Sequence, residues 1–245
     1  MIRSSRVTVL TLLGGLILAG FSILANGQIP GQLAQDFVAG SVPSPEDIAK
    51  LEKEVGAKPD DLHLTRKLGK GYFFQFFGEG DADAAPKAEK TLERALAIKK
   101  DDAEALVYLG ALHIIRARRL EKNDAAKQKA SFDRGFELVK QAEKVDARNG
   151  AVISIASASY LWLPDSYGMA PYVVGMLEGM RKGMGPMFLQ FSHHGQQRLL
   201  LTLGQALVKT GQLDKARAVF DEGLKVNERS LEAGLIRAEI AKLKG

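Results

Sequence analysis

Cysteine is absent from all 245 residues. That excludes disulfide bonds, thiolate metal sites and thiol nucleophiles, so stability has to come from packing alone. Net charge is also small: the formal value is +5, and removing Arg3 and Arg6 with an N-terminal segment would leave +3 (5 − 2). So small a surplus argues against a nucleic-acid or anionic-membrane partner. Local signatures of catalysis are missing as well. There is no Walker-type phosphate loop, HExxH, GxSxG or SxxK motif, and each of those chemistries needs its residues at that spacing. Neighbouring His193 and His194 point in different directions on any regular element, and His63 and His113 stand alone, so no metal pair forms at helical spacing. The segment Gly78-Glu79-Gly80-Asp81-Ala82-Asp83 lacks the later ligands of a calcium loop and reads as a flexible insertion between helices. No catalytic residue and no cofactor is assigned, and an enzyme is not expected.

The one long apolar run lies at the start. Arg3 and Arg6 precede an uncharged stretch from Val7 to Leu24, followed by the small residues Ala25-Asn26-Gly27, the arrangement of an export signal. The run also reaches the roughly 18 residues at which a membrane span becomes possible. Two outcomes stay open, cleavage after residue 27 or retention as an anchor through residues 7–24. In both, the positive-inside rule places the remainder outside the cytoplasm, free in the periplasm or held at the outer side of the inner membrane. Residues 28–43 then form a linker and 44–245 a single domain, long enough for a continuous core of about four helix pairs.

Within that domain, small and large apolar residues recur at a fixed spacing. Leu200, Leu203-Gly204, Leu207 and Gly211 fall on one expected helix, with Ala216, Phe220 and Gly223 on the next. Leu106, Leu109-Gly110 and His113, then Gly135, Val139 and Ala142, repeat the arrangement around a charged stretch from Arg116 to Lys129. Leu68-Gly69 and Tyr72, then Ala88, Leu92 and Ala95, repeat it once more, and Ile153, Ala156-Ser157 and Tyr160 give a weaker copy. The chain from about Pro59 onward resembles a tetratricopeptide-repeat (TPR) protein, built from helix–turn–helix units of about 34 residues. Glu228 stands where the family usually has a helix-ending proline. The resemblance implies an all-α, right-handed solenoid of about four antiparallel helix pairs, with small residues where paired helices approach closely.

Local signals agree with that reading. Pro59-Asp60-Asp61, Asp101-Asp102 and Asp146 to Asn149 fall between repeats, where short polar side chains cap helix starts. Ser44-Pro45-Glu46-Asp47 has the form of a capping box ahead of Ile48, Leu51 and Val55, which predicts a short leading helix. Leu231, Leu235, Ile236, Ile240 and Leu243 make one apolar stripe on a final capping helix. The basic cluster Arg116, Arg118, Arg119, Lys122, Lys127 and Lys129 is interrupted by Glu121 and Asp124 and reads as a solvated helix and loop.

One stretch fits the repeat poorly. Met169, Met176, Met180, Met184 and Met187 crowd between Tyr167 and Phe188, interleaved with Gly168, Gly175, Gly179, Gly183 and Gly185. Pro171 and Pro186 bound a helix over 172–185, on which Gly175, Gly179 and Gly183 form a stripe beside Met176, Met180 and Met184. Three interior glycines cost on the order of 1 kcal/mol each, which predicts another backbone packed closely against them. The methionines allow two further readings, an adaptable partner surface and Cu(I) coordination with His193 and His194.

What the resemblance implies for function is binding without catalysis: first helices line a groove that receives a peptide or a partner's helix, and the chain acts as scaffold or adaptor in the envelope. Candidate contact residues are Tyr108, Arg116, Arg198 and Thr202, with Met176 and Met180 on the Gly/Met helix. The rival is a solute- or ligand-binding component of an envelope transporter, with a closed pocket lined by Tyr160, Trp162, Tyr167, Tyr172 and the methionines.

Overall fold

A computed structural model of the chain describes residues 44–243, apart from the side chains of Glu79, Met187 and Gln190. The export signal or anchor over 1–27 and the linker over 28–43 lie outside the described residues. Among the described residues no helix is long and apolar enough to cross a membrane.

Ten α-helices follow one another in this part of the chain: α1 (Pro45–Ala57), α2 (Leu62–Phe74), α3 (Ala84–Ile98), α4 (Ala103–Arg119), α5 (Ala125–Asp146), α6 (Gly150–Trp162), α7 (Ala170–Met184), α8 (His193–Lys209), α9 (Leu213–Val226) and α10 (Leu231–Lys242). The polar turns act as the sequence predicts. Asp61 accepts from the Leu64 amide, Asp102 from Ala105, Asn149 from Ala151 and Val152, and Ser230 from Ala233. Each side chain satisfies an amide that the first turn leaves without a helical partner. Ser44 and Asp47 form the reciprocal capping box at the start of α1.

Helices pair as α2/α3, α4/α5, α6/α7 and α8/α9, while α1 packs on α2 and α10 on α8 and α9. Pairing rests on the small residues. A β carbon on Gly110 would lie 2.8 Å from the Gly135 carbonyl oxygen, and one on Gly135 2.7 Å from the Gly110 carbonyl oxygen. The backbones of α4 and α5 therefore touch, and glycine is required on both sides. Gly69 instead makes room for the Leu92 side chain, and Gly204 for the ring of Phe220. Neighbouring pairs stack through their first helices, α2 on α4, α4 on α6 and α6 on α8. In α4, thirteen of seventeen residues are buried, as expected for a helix apolar on nearly all sides.

Three expectations need correction. The Gly/Met helix begins at Ala170 and ends at Met184, yet nothing lies within 4 Å of a β carbon at Gly175, Gly179 or Gly183. The buried face of α7 is Val173, Val174 and Leu177 instead. Its glycines are exposed, so the close backbone approach is not made among the described residues. The insertion after α2 is loose only in its second half: Gly78 and Glu79 complete a π-helical turn over Gln75–Glu79 that ends at Gly80 with φ 76°, and the next helix starts at Ala84. The arginines after Ile115 are not merely solvated. Arg119 donates to the Phe76 and Phe77 carbonyls at 2.7 and 2.8 Å, and Arg118 to the Trp162 carbonyl at 2.8 Å. They satisfy carbonyl groups at the ends of α2 and α6, tying three repeats together.

Candidate functional site

Gly110 turns toward α5, so Tyr108, about 160° away around α4, lies on the side facing away from that helix. This side continues along the first helices as the inner face of the stack. Its upstream half is aromatic. The Tyr108 ring meets Phe73 and Phe74 edge-on, with centroids at 5.2 and 5.9 Å, and Phe77 meets Trp162 of α6 at 5.3 Å. Residues from the first and third repeats thus touch across the second. Arg119 fixes the Phe77 end of that bridge and Arg118 the Trp162 end.

Downstream, the same face opens into a cleft between α6, α8 and α10. Trp162, Arg198, Leu201, Thr202, Gln205 and Glu239 line it, with Leu161 and Leu235 at its apolar side. Its enclosed volume is only about 20 Å³, room for one water and far below what a drug-sized ligand needs. The cleft can take a side chain or a stretch of backbone laid across it.

Electrostatics in the cleft are ordered. Gln205 donates to Glu239 at 3.0 Å, and Lys242 closes on the other Glu239 oxygen at 3.0 Å. Thr202 returns its hydroxyl proton to the Arg198 carbonyl. Burial pushes the Arg198 guanidinium down to about 10, against the pull of Glu232, so it stays a cation at neutral pH. Behind it, His194 Nδ1 lies 3.0 Å from Glu232, with both residues buried. Burial raises the Glu232 carboxyl, but the hydrogen bond from His194 and the charges of His194 and Arg198 outweigh it and leave the group below its ordinary value.

Of the residues singled out in the sequence, Arg198 and Thr202 come together in this cleft. Tyr108 does not reach a surface; it is fully buried under Phe73 and Phe74. Arg116 turns instead toward α3 and the α4–α5 turn, bound to Glu89 at 2.5 Å and Glu121 at 3.1 Å. Met176 and Met180 are half-buried on α7 and line no part of the cleft. The aromatic pocket of the rival reading does not form either. Tyr160 and Tyr167 meet Phe136, and Tyr172 meets Tyr160, but Trp162 belongs to the inner face. The phenols of Tyr160 and Tyr167 donate to Glu143 and Asp133 at 2.5 Å. A wider cleft of about 430 Å³ lies between the start of α5 and the turn at Asp165–Tyr167. Its principal charges, Lys129 and Asp133, engage each other at 2.6 Å.

Gln205 and Glu239 were not singled out. Gln205 was legible, because 198, 201, 202 and 205 share one helical face. Glu239 comes from the cap, which only the tertiary structure brings over α8.

Among solved structures, the chain is similar to the crystal structure of a thermophilic TPR protein from Thermus thermophilus. The likeness covers 94% of this chain and 97% of that one, with a TM-score of 0.59 and 15% sequence identity. The fold is a TPR solenoid. At that identity the likeness speaks for the fold alone. No family model matches the chain, and no characterised protein matches it in sequence.

Proposed function

We propose that this protein is a non-enzymatic scaffold of the cell envelope that holds a segment of a protein partner against the inner face of its solenoid. One observation carries the reading: the inner face opens into a cleft between α6, α8 and α10 in which Arg198, Thr202, Gln205 and Glu239 are set among Leu161, Trp162, Leu201 and Leu235. Such a surface suits an extended peptide or a helix, with apolar side chains supplying contact area and a few polar groups fixing register. The inner-face cleft is too small for an enclosed solute and the wider cleft at Asp165–Tyr167 is open to solvent, which favours the scaffold over a transporter's binding component with a closed pocket. Export follows from Arg3, Arg6 and the apolar run at 7–24, and we place the domain outside the cytoplasm, either released or tethered.

Photocrosslinking in living cells tests this. With benzoylphenylalanine in place of Thr202, irradiation is expected to yield one dominant protein adduct, identified by mass spectrometry. The same probe at Lys90, exposed on α3, is expected to yield none. Equal adducts from both positions would remove the inner face as the binding surface. Protease digestion of spheroplasts tests the location, since an exported domain is cleaved while the membrane is intact.

A further inference from the structure

The ring of Phe77 is held in a place built for a flat group. It stacks on Phe73 with centroids 5.9 Å apart and planes 14° from parallel, meets Trp162 of α6 at 5.3 Å, and has the Arg119 guanidinium 5.6 Å from its centroid. Stacking and a cation over the face both favour an aromatic ring over an aliphatic side chain. Trp162 also lines the cleft that holds Arg198 and Glu239, so the ring site and the cleft share a wall. With Phe77 in place the first and third repeats meet across α4, whose inner residues Tyr108, Ala111 and Ile115 are each at most 2% exposed.

Phe77 differs from the core residues around it in how it is held. It lies beyond the end of α2, on the π-helical turn, an arrangement that recurs at functional sites. Gly78 follows directly, then Gly80 at φ 76°, a conformation that glycine adopts without strain. Residues 80–83 are exposed. The Asp81 amide bonds to the Gln75 carbonyl and the Asp83 amide to the Asp81 side chain, so this stretch holds its shape by local bonds. Arg119 fastens the turn through the Phe76 and Phe77 carbonyls. A ring that served only the core would need no cation buried beside it. Such a latch, with glycines on its far side, can open while α2 stays paired with α3 and α4 with α5.

We infer that Phe77 is a resident plug: its ring occupies the place that an aromatic side chain of the partner takes, and it leaves by opening of the turn over 75–79, with Gly78 and Gly80 absorbing the backbone change. The inference rests on the inner face being the partner-binding surface and adds two things to it. The partner segment carries an aromatic residue, seated on Trp162 beside the cleft, and that residue competes with a ring already in the chain. Covalent linkage gives Phe77 an effective concentration in the millimolar range, so a free aromatic group does not enter, whereas a segment that also engages the cleft does.

Native-state hydrogen exchange on the purified full-length chain separates a plug from a core residue. Amides over 75–81 are expected to exchange through a local opening that hardly responds to low urea, while those of α4 exchange only through global unfolding. A single urea-dependent opening shared by both would overturn the inference. Trp162 is the one tryptophan of the chain, and its emission reports on the ring site. In Phe77→Ala, N-acetylphenylalaninamide is expected to change that emission saturably and to bind about tenfold tighter than in the parent, because the tethered competitor is gone; N-acetylleucinamide is expected to do neither. Equal binding to parent and variant, or none to a variant of unchanged helicity, would overturn the site. If Phe77→Ala does not fold, Phe77→Leu keeps the apolar bulk without the ring and is expected to exchange faster over 75–81 than the parent; unchanged exchange counts equally against the plug. In cells Phe77→Leu is expected to raise partner capture from position 202 several-fold. The two readings fail separately. Capture that Phe77→Leu leaves unchanged removes this inference alone, whereas local opening and probe binding with no partner captured by either chain keep the ring site and remove the scaffold reading.

Discussion

Gly204 lies directly beneath the ring of Phe220, so close that a β carbon would fall inside the van der Waals envelope of the ring. Helices α8 and α9 are held together at this point, with Phe220 fully buried and Gly223 packed under Ile236 of the cap. Gly204→Leu has to drive the pair apart. A loss of about 1–3 kcal/mol is expected from overpacking, read as a lower urea midpoint at unchanged slope.

Gly179 provides the contrast. A β carbon there meets nothing within 4 Å among the described residues, so Gly179→Ala replaces a poor helix former with a good one at no steric cost. A gain of up to about 1 kcal/mol is expected, and Gly179→Leu is expected not to destabilise. A drop in melting temperature for either variant would show that the exposed face of α7 is covered in solution.

Arg119 holds the π-helical turn. Its guanidinium donates to the Phe76 and Phe77 carbonyls and lies over both rings, and burial lowers it to about 10 without discharging it at neutral pH. Arg119→Met keeps much of the stem but leaves two carbonyls without their donor. A cost of about 1–3 kcal/mol follows, with faster amide exchange over 75–81 than in the parent.

Acidification acts first through His113. Burial, then the charge of Arg116, outweighs the attraction of Glu89 and Glu121 and lowers the imidazole to about 4, with Arg134 adding to the depression. The unfolded chain takes up this proton near its ordinary value of about 6.5, so between about 6.5 and about 4 the unfolded state binds more protons. Stability therefore falls as pH is lowered through that window. Below it, the depressed carboxyls of Glu104 and Glu232 lose their charge and add to the loss. Thermal melts from pH 7 to pH 5 should decline in the parent and flatten in His113→Gln, which keeps an acceptor for Arg116 but does not titrate. Equal slopes would mean that His113 is accessible to protons in the folded state.

Removing residues 231–245 takes away the buried Ile236 and Ile240 and leaves His194 without Glu232. Aggregation or loss of cooperative melting is expected, because only a terminal helix covers this end of the stack. A truncated chain with unchanged helicity and melting temperature would show that α10 is dispensable.

The sequence by itself determined the helices, their order and their pairing. Caps such as Asp61, Asp102 and Asn149 act within three residues, and the spacing of Gly110 or Gly204 follows the helical period, so both are local properties that a linear pattern carries. It also brought Arg198 and Thr202 to one face, since four residues make one turn. It could not separate Gly204 from Gly179. Both are glycines on helices flanked by apolar residues, and what distinguishes them is whether another helix arrives, which depends on residues far along the chain. For the same reason the arginines looked solvated: Arg118 and Arg119 bind main-chain carbonyls 42 to 44 residues distant, and a carbonyl group is present at every residue and leaves no mark in a sequence. Tyr108 was expected in an open groove because its helix face points inward. Only the packed structure, in which Phe73, Phe74, Phe77 and Trp162 converge over that face, decided that it is interior.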